Sequence, residues 1–178
     1  GRGHYVGGLV GWNTGSITLS NSSGMVSGPQ IVGGLVGWNY HNGFVSSSYS
    51  ACNVSAGQSA GGLVGRMDSA AVTLSFATGT ASGSAYVGGL IGENNNNGSV
   101  TNSYATGRAT GTYGTGGLIG YNGASATMIN CYSSGYITGL NYPGGLVGIN
   151  YEGTIIENSF WDMETSGQVT SWGGTGKT

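Results

Sequence analysis

The side chains able to do chemistry are few, and their spacing is informative. The acidic residues are Asp68, Glu93, Glu152, Glu157, Asp162 and Glu164, set against four Lys and Arg residues and two histidines, His4 and His41. Carbohydrate-cleaving or lyase chemistry on an all-β scaffold needs carboxylates, or carboxylates and basic residues, gathered on one face. Asp68 and Glu93 fall in different registers of the turn, while Glu157, Asp162 and Glu164 lie close together near the C-terminus without a His or Arg beside them. That pattern suits solvated charges better than an acid/base pair or a cation site. The histidines are not at metal-ligand spacing, and the closing Gly-Gly-Thr-Gly-Lys177 lacks the full spacing and following helix of a phosphate loop. The expectation is no catalytic residue, no metal and no cofactor.

Aromatic chemistry is better represented. Trp12, Trp38 and Tyr121 share one position of a repeating pattern, with Arg66, Glu93 and Ile149 at the same position in other copies. A column that varies so freely in chemistry is expected to face solvent, making Trp12 and Trp38 an adjacent exposed pair. Tyr40 and His41 follow directly, and Tyr86, Tyr113 and Tyr142 stand in other turns. Stacked rings beside Asn and Ser could contact sugar rings or a protein partner; they could equally cover the edge of the fold and pack on one another. Trp12, Trp38, Tyr40, His41 and Tyr121 are the candidate contact residues.

What positions these residues is a repeat. Gly-Gly-Leu-(Val/Ile)-Gly begins at Gly7, Gly33, Gly61, Gly88, Gly116 and Gly144. In each copy an asparagine follows (Asn13, Asn39, Asn94, Asn122, Asn150), except that Met67 replaces it in the third. An aliphatic column (Ile17, Val45, Val72, Val100, Met128, Ile156), a small column (Ser20, Ser48, Ser75, Ser103, Cys131, Ser159) and an aromatic column (Tyr49, Phe76, Tyr104, Tyr132, Phe160) come next. The segments between turns run about 4 to 8 residues, β-branched and glycine-punctuated, which reads as strands. About three short strands per unit cannot bury their Leu, Val and aromatic side chains alone, so neighbouring units must stack. The expected fold is all-β: a parallel β-solenoid of six coils rising about 29 Å, with residues 1–159 as coils and 160–178 as a cap. A β-propeller is excluded by length, since a four-stranded blade needs about 40 residues.

Composition agrees. The chain has 178 residues, 39 of them glycine, and a net charge of −2. Stacking puts equivalent residues about 4.8 Å apart, where like charges repel and Asn, Ser, Thr and aromatic ladders attract. Four basic residues cannot follow a phosphate track, so no nucleic-acid partner is expected. No apolar run reaches the roughly 20 residues of a membrane span. Cys52 and Cys131, three coils apart by about 14 Å, are beyond disulfide reach and should be free thiols.

These pentapeptides, each leading to a segment such as Gly98-Ser-Val-Thr-Asn-Ser-Tyr-Ala-Thr-Gly107, resemble the GLUG motif, and the run from Asn158-Ser-Phe-Trp-Asp162 to Lys177 resembles the segment that closes such arrays. The resemblance implies an extracellular or cell-surface, non-catalytic, adhesin-like repeat region, and it assigns no site residue. Only Gly1 to Val6 precede the first pentapeptide. An open first coil would leave unpaired backbone, so upstream coils of a longer chain, or another copy docking head to tail into a filament, is expected there. Glycans are the alternative partner.

Overall fold

The repeat closes one turn of a parallel β-solenoid. A computed structural model describes residues 3–178; Gly1 and Arg2, the start of the short leading segment, lie outside the described residues. Equivalent residues stack in register: Val10, Val36, Val64, Ile91, Ile119 and Val147 form one column, and Ile17, Val45, Val72, Val100, Met128 and Ile156 another. Each of these columns lies in a six-stranded sheet, and the third face is a 14-stranded sheet.

The three faces match expectation, but the coil is more finely broken than three strands. The third coil contains Val64–Asp68, Ala71–Thr73, Phe76–Ala77, Ala81–Gly83 and Val87–Gly88. The 14-stranded sheet takes three of these short strands from this one coil, Phe76–Ala77, Ala81–Gly83 and Val87–Gly88. The corner after the second face is made by a residue with positive φ in every coil: Leu19, Ser47, Leu74, Asn102, Asn130 and Asn158, at 48° to 56°. The small column follows it and closes the corner. Ser75 Oγ donates to the Thr73 carbonyl at 2.7 Å while accepting from the Ser48 amide of the neighbouring coil at 3.2 Å. Ser48, Ser103 and Ser159 repeat both bonds.

The pentapeptide itself is dictated by a thin core. Its leucine fills the interior: Leu35, Leu63, Leu90, Leu118 and Leu146 are fully buried. Its second glycine leaves no room for a side chain, because a Cβ on Gly62 or Gly89 would come within 2.9 Å of the Ala77 or Ala105 Cβ. Across from Gly34 and Gly117 stand Ser50 and Ser133. The residue after each aromatic is therefore the inward one, and it has to be small. The aromatic column itself points outward, contrary to its expected burial: Tyr49, Tyr132 and Phe160 are exposed and Phe76 and Tyr104 half-buried. Its rings stack in line along the outer surface. Successive centroids from Tyr49 to Tyr132 lie 4.9–5.0 Å apart, with planes within 10°.

Phe160–Asp162 still pairs with Tyr132–Ser133, and Thr175–Lys177 adds one more strand beyond it. Between them a single helical turn, Met163–Ser166, is capped by the Asp162 carboxylate, which accepts from the Glu164 and Thr165 amides at 2.9 and 3.0 Å. Those bonds hold the Asp162 pKa below its usual range. In the last coil the inward small residue becomes Trp161, whose indole lies against Gly145 and donates from Nε1 to the Gln168 carbonyl at 2.9 Å. Cys52 and Cys131 are both buried and free.

Candidate functional site

The position after each pentapeptide forms one ladder, Trp12, Trp38, Arg66, Glu93, Tyr121 and Ile149. Its surroundings are not uniform. Trp12 is 58% exposed, Trp38, Arg66, Tyr121 and Ile149 are half-buried, and Glu93 is buried. The expectation of a solvent-facing column therefore holds only at its first rung. The cause is the packing of Tyr5, Ser59, Tyr86 and Gly114 against the ladder.

At the first two coils the rings gather. Trp12 stacks on Trp38 with centroids 5.4 Å apart and planes at 17°. Tyr5 stacks on Trp38 at 4.7 Å, Tyr40 leans on Trp38 at 4.6 Å, and His41 lies 5.7 Å from Tyr40. His41 and Asn42 hold left-handed turn conformations, φ 44° and 67°, that carry the chain round the edge beside these rings. Four of the five candidate residues, Trp12, Trp38, Tyr40 and His41, are thus brought together. Tyr121 is not. It lies three rungs beyond Trp38, paired with Tyr86 at 4.9 Å, and burial raises the pKa of both phenols.

A charge cluster anchors the aromatic edge. Asp68 is buried and accepts four hydrogen bonds: Trp38 Nε1 at 2.7 Å, Arg66 Nε at 2.6 Å, Arg66 Nη2 at 3.1 Å and Asn96 Nδ2 at 2.9 Å. Arg66 also reaches Glu93 at 3.6 Å and lies over the Trp38 ring at 5.7 Å. Its hydrogen bond to Asp68 holds the guanidinium pKa above its ordinary value. Glu93 accepts from Ser59 Oγ and Asn95 Nδ2. With four donors on Asp68, its lone-pair sites are filled. The two acids lie on different rungs, as the sequence indicated; Arg66 joining them is what sequence reasoning missed. Among the described residues no group of three or more His, Cys, Asp or Glu side chains is placed to hold a metal ion, and no helix is long and apolar enough to cross a membrane.

The repeat that builds this edge is recognisable. The GLUG motif matches residues 83–110 and 111–138, two consecutive coils. Those two coils carry the GLUG repeat. No curated protein matches the GLUG chain in sequence. Among solved structures, its fold is similar to a crystal structure of a "putative immunoglobulin A1 protease" from Bacteroides ovatus. The TM-score is 0.80 at 17% identity, over 99% of this chain and 64% of that one. The GLUG solenoid thus spans less than two thirds of the neighbour's length, and what the two share is the fold.

Proposed function

We propose that this GLUG solenoid is a non-catalytic adhesion module of an extracellular protein, engaging its partner through the edge formed by Trp12, Trp38, Tyr40 and His41. The observation that carries the reading is the contrast between the two halves of that edge. Trp12, Tyr40 and His41 stay accessible, Trp12 at 58%, while the charges beneath them are spent on one another. Such a surface recognises by contact and does not transfer protons. The neighbouring structure bears the name of a protease; in this chain the bound state of Asp68 and Glu93 favours a supporting role for the solenoid.

A second reading takes a saccharide as the partner of the same edge. It is favoured by the stacked indoles of Trp12 and Trp38 with the exposed turn His41–Asn42 beside them, which together offer aromatic faces and polar groups. End-to-end self-association would add strands beyond Tyr5–Gly7, Val10–Asn13 and Ser16–Thr18, but earlier coils of a longer chain would pair with those same strands, so the aromatic edge is the stronger ground.

The test is binding of the immobilised chain to arrayed glycans and to mucin- or cell-coated surfaces, compared with Trp12→Ala and the Trp12→Ala/Tyr40→Ala double variant. The exposed Trp12 can be removed without opening the core, so lost binding reports the surface. Binding that is undiminished in the double variant would reject the edge.

A further inference from the structure

A second aromatic cluster lies toward the other end of the solenoid, and one of its members is held in a conformation that suits its residue type poorly. The strand Ile137–Gly144 pairs with Ala109–Gly116 so that Tyr113 meets Asn141 and Thr115 meets Pro143. Between those rungs Gly114 stands beside Tyr142, and both are left-handed, φ 62° and 55°. Glycine takes that conformation freely, whereas a bulky side chain does not. The following Pro143 narrows the choice for Tyr142 further. Coil six therefore places a ring where coil five has none, at a cost in backbone strain.

The ring closes a cleft. Tyr142 meets Tyr113 edge-on at 5.1 Å and Trp172 at 6.4 Å. These three, with Ile149 and Asn150, line a space of about 240 Å³. The cap fixes Trp172: its amide donates to the Val147 carbonyl at 3.2 Å, and Ser171 Oγ takes the Val147 amide at 2.9 Å. Asn150 terminates the asparagine ladder. Its Oδ1 is filled by Asn122 Nδ2 and Thr154 Oγ1, both at 2.9 Å, while its Nδ2 meets no acceptor among the described residues. The Tyr113 and Tyr142 hydroxyls and the Trp172 indole N–H are likewise unpaired among the described residues, and no charged side chain lines the cleft.

We propose that this cleft binds a neutral sugar ring. Tyr142 and Trp172 supply aromatic surface for the ring's apolar C–H face, and Asn150 Nδ2 and Trp172 Nε1 donate to its hydroxyls. The absence of a cation in the lining directs the site toward uncharged sugars and away from uronic or sialic acids. The site is separate from the Trp12 edge and does not depend on the function proposed for it.

The test is titration calorimetry of the full chain with cellohexaose, maltohexaose and mannohexaose, and with oligogalacturonate as the acidic comparator. At least one neutral oligosaccharide should bind saturably. Trp172→Ala and Tyr142→Gly should each weaken that binding at least tenfold. Tyr142→Gly installs the residue of coil five, so it should melt no earlier than the parent and thereby separate loss of site from loss of fold. Asn150→Asp keeps the acceptor for Asn122 and Thr154 but removes the donor, and should also weaken binding. Met25→Ala, at an exposed residue outside both aromatic clusters, should leave the affinity unchanged. The proposal is overturned if no neutral oligosaccharide binds, if only oligogalacturonate binds, or if binding survives both Tyr142→Gly and Trp172→Ala. Sugar binding lost in Trp12→Ala but kept in Tyr142→Gly overturns it in favour of the other edge.

Discussion

Met67 occupies the rung next to Asn94, and the side-chain oxygen of Asn94 is buried without a donor as a direct result. Elsewhere the ladder is continuous in one direction. Asn13 donates to Asn39 at 2.7 Å, Asn94 to Asn122 at 2.8 Å and Asn122 to Asn150 at 2.9 Å. Met67→Asn would let Asn39 donate to the new oxygen and the new amide donate to Asn94. Asn39 Nδ2 already donates to the Gly43 and Ala71 carbonyls at 3.0 and 3.3 Å, so its new bond replaces the longer of these, and the net gain is the bond that satisfies Asn94, about 1–2 kcal/mol, against roughly 2 kcal/mol of apolar burial lost. The variant should therefore stay within about 1 kcal/mol of the parent in urea unfolding. Met67→Ala, which gains no bond, should lose about 2–5 kcal/mol. Equal losses in the two variants would show that the gap in the ladder has no energetic weight.

Thr115 presents the same defect in a simpler form. It is fully buried with its hydroxyl unpaired, on a column whose neighbouring rungs are Val87 and Pro143. Thr115→Val keeps the shape and removes the unsatisfied group, so it should stabilise by about 1 kcal/mol, raising the melting temperature by about 2–4 °C in a chain of this size. An unchanged or lower midpoint would contradict this account.

The corner column separates residue types in the same fold. Leu74 is 59% exposed with φ 50°, a conformation that asparagine tolerates better than leucine. At the equivalent corners of the next two coils, Asn130 Nδ2 donates to Asn102 Oδ1 at 3.2 Å. Leu74→Asn should extend that pair and stabilise by about 0.5–1 kcal/mol, read from the denaturation midpoint; a lower midpoint would count against the corner argument.

Cys131 makes stability depend on alkaline pH. It replaces serine in the corner-closing column, and burial pushes its thiol pKa from 9.0 up to about 11. Because the folded value lies above the unfolded one, its contribution is complete below pH 9 and is lost as the pH rises through about 11. The parent should lose roughly 2 kcal/mol over that interval relative to Cys131→Ser, whose hydroxyl does not ionise there. Parallel pH profiles for the two proteins would remove the thiol as the cause.

Register, coil number and the inner Leu and Val columns were legible because stacking demands that equivalent residues recur, and they do. The outward turn of Tyr104 was not read, although its signal was present. The small residue following each aromatic, Ser50, Ala77, Ala105 and Ser133, is the one that fits against the second glycine of the pentapeptide. Joining Arg66 to Asp68 and Glu93 needs side-chain geometry across two coils, which a column alignment does not carry. Trp172, and the strained conformation of Tyr142, which the sequence shows only as an aromatic residue in a turn, escaped for a related reason. The first lies in the non-repeating cap, and the second breaks a local backbone preference only because its neighbour Gly114 shapes that turn.

The parallel, in-register stack also bears on load. Adjacent coils are joined by hydrogen bonds running along the solenoid axis, and a folded coil advances only about 4.8 Å. Pulled along that axis from one end, the chain would peel one turn at a time, and each turn of about 28 residues would release about 90 Å of slack. A molecule anchored by such a chain would be restrained by a tether that yields in steps and dissipates tension before the attachment itself gives way.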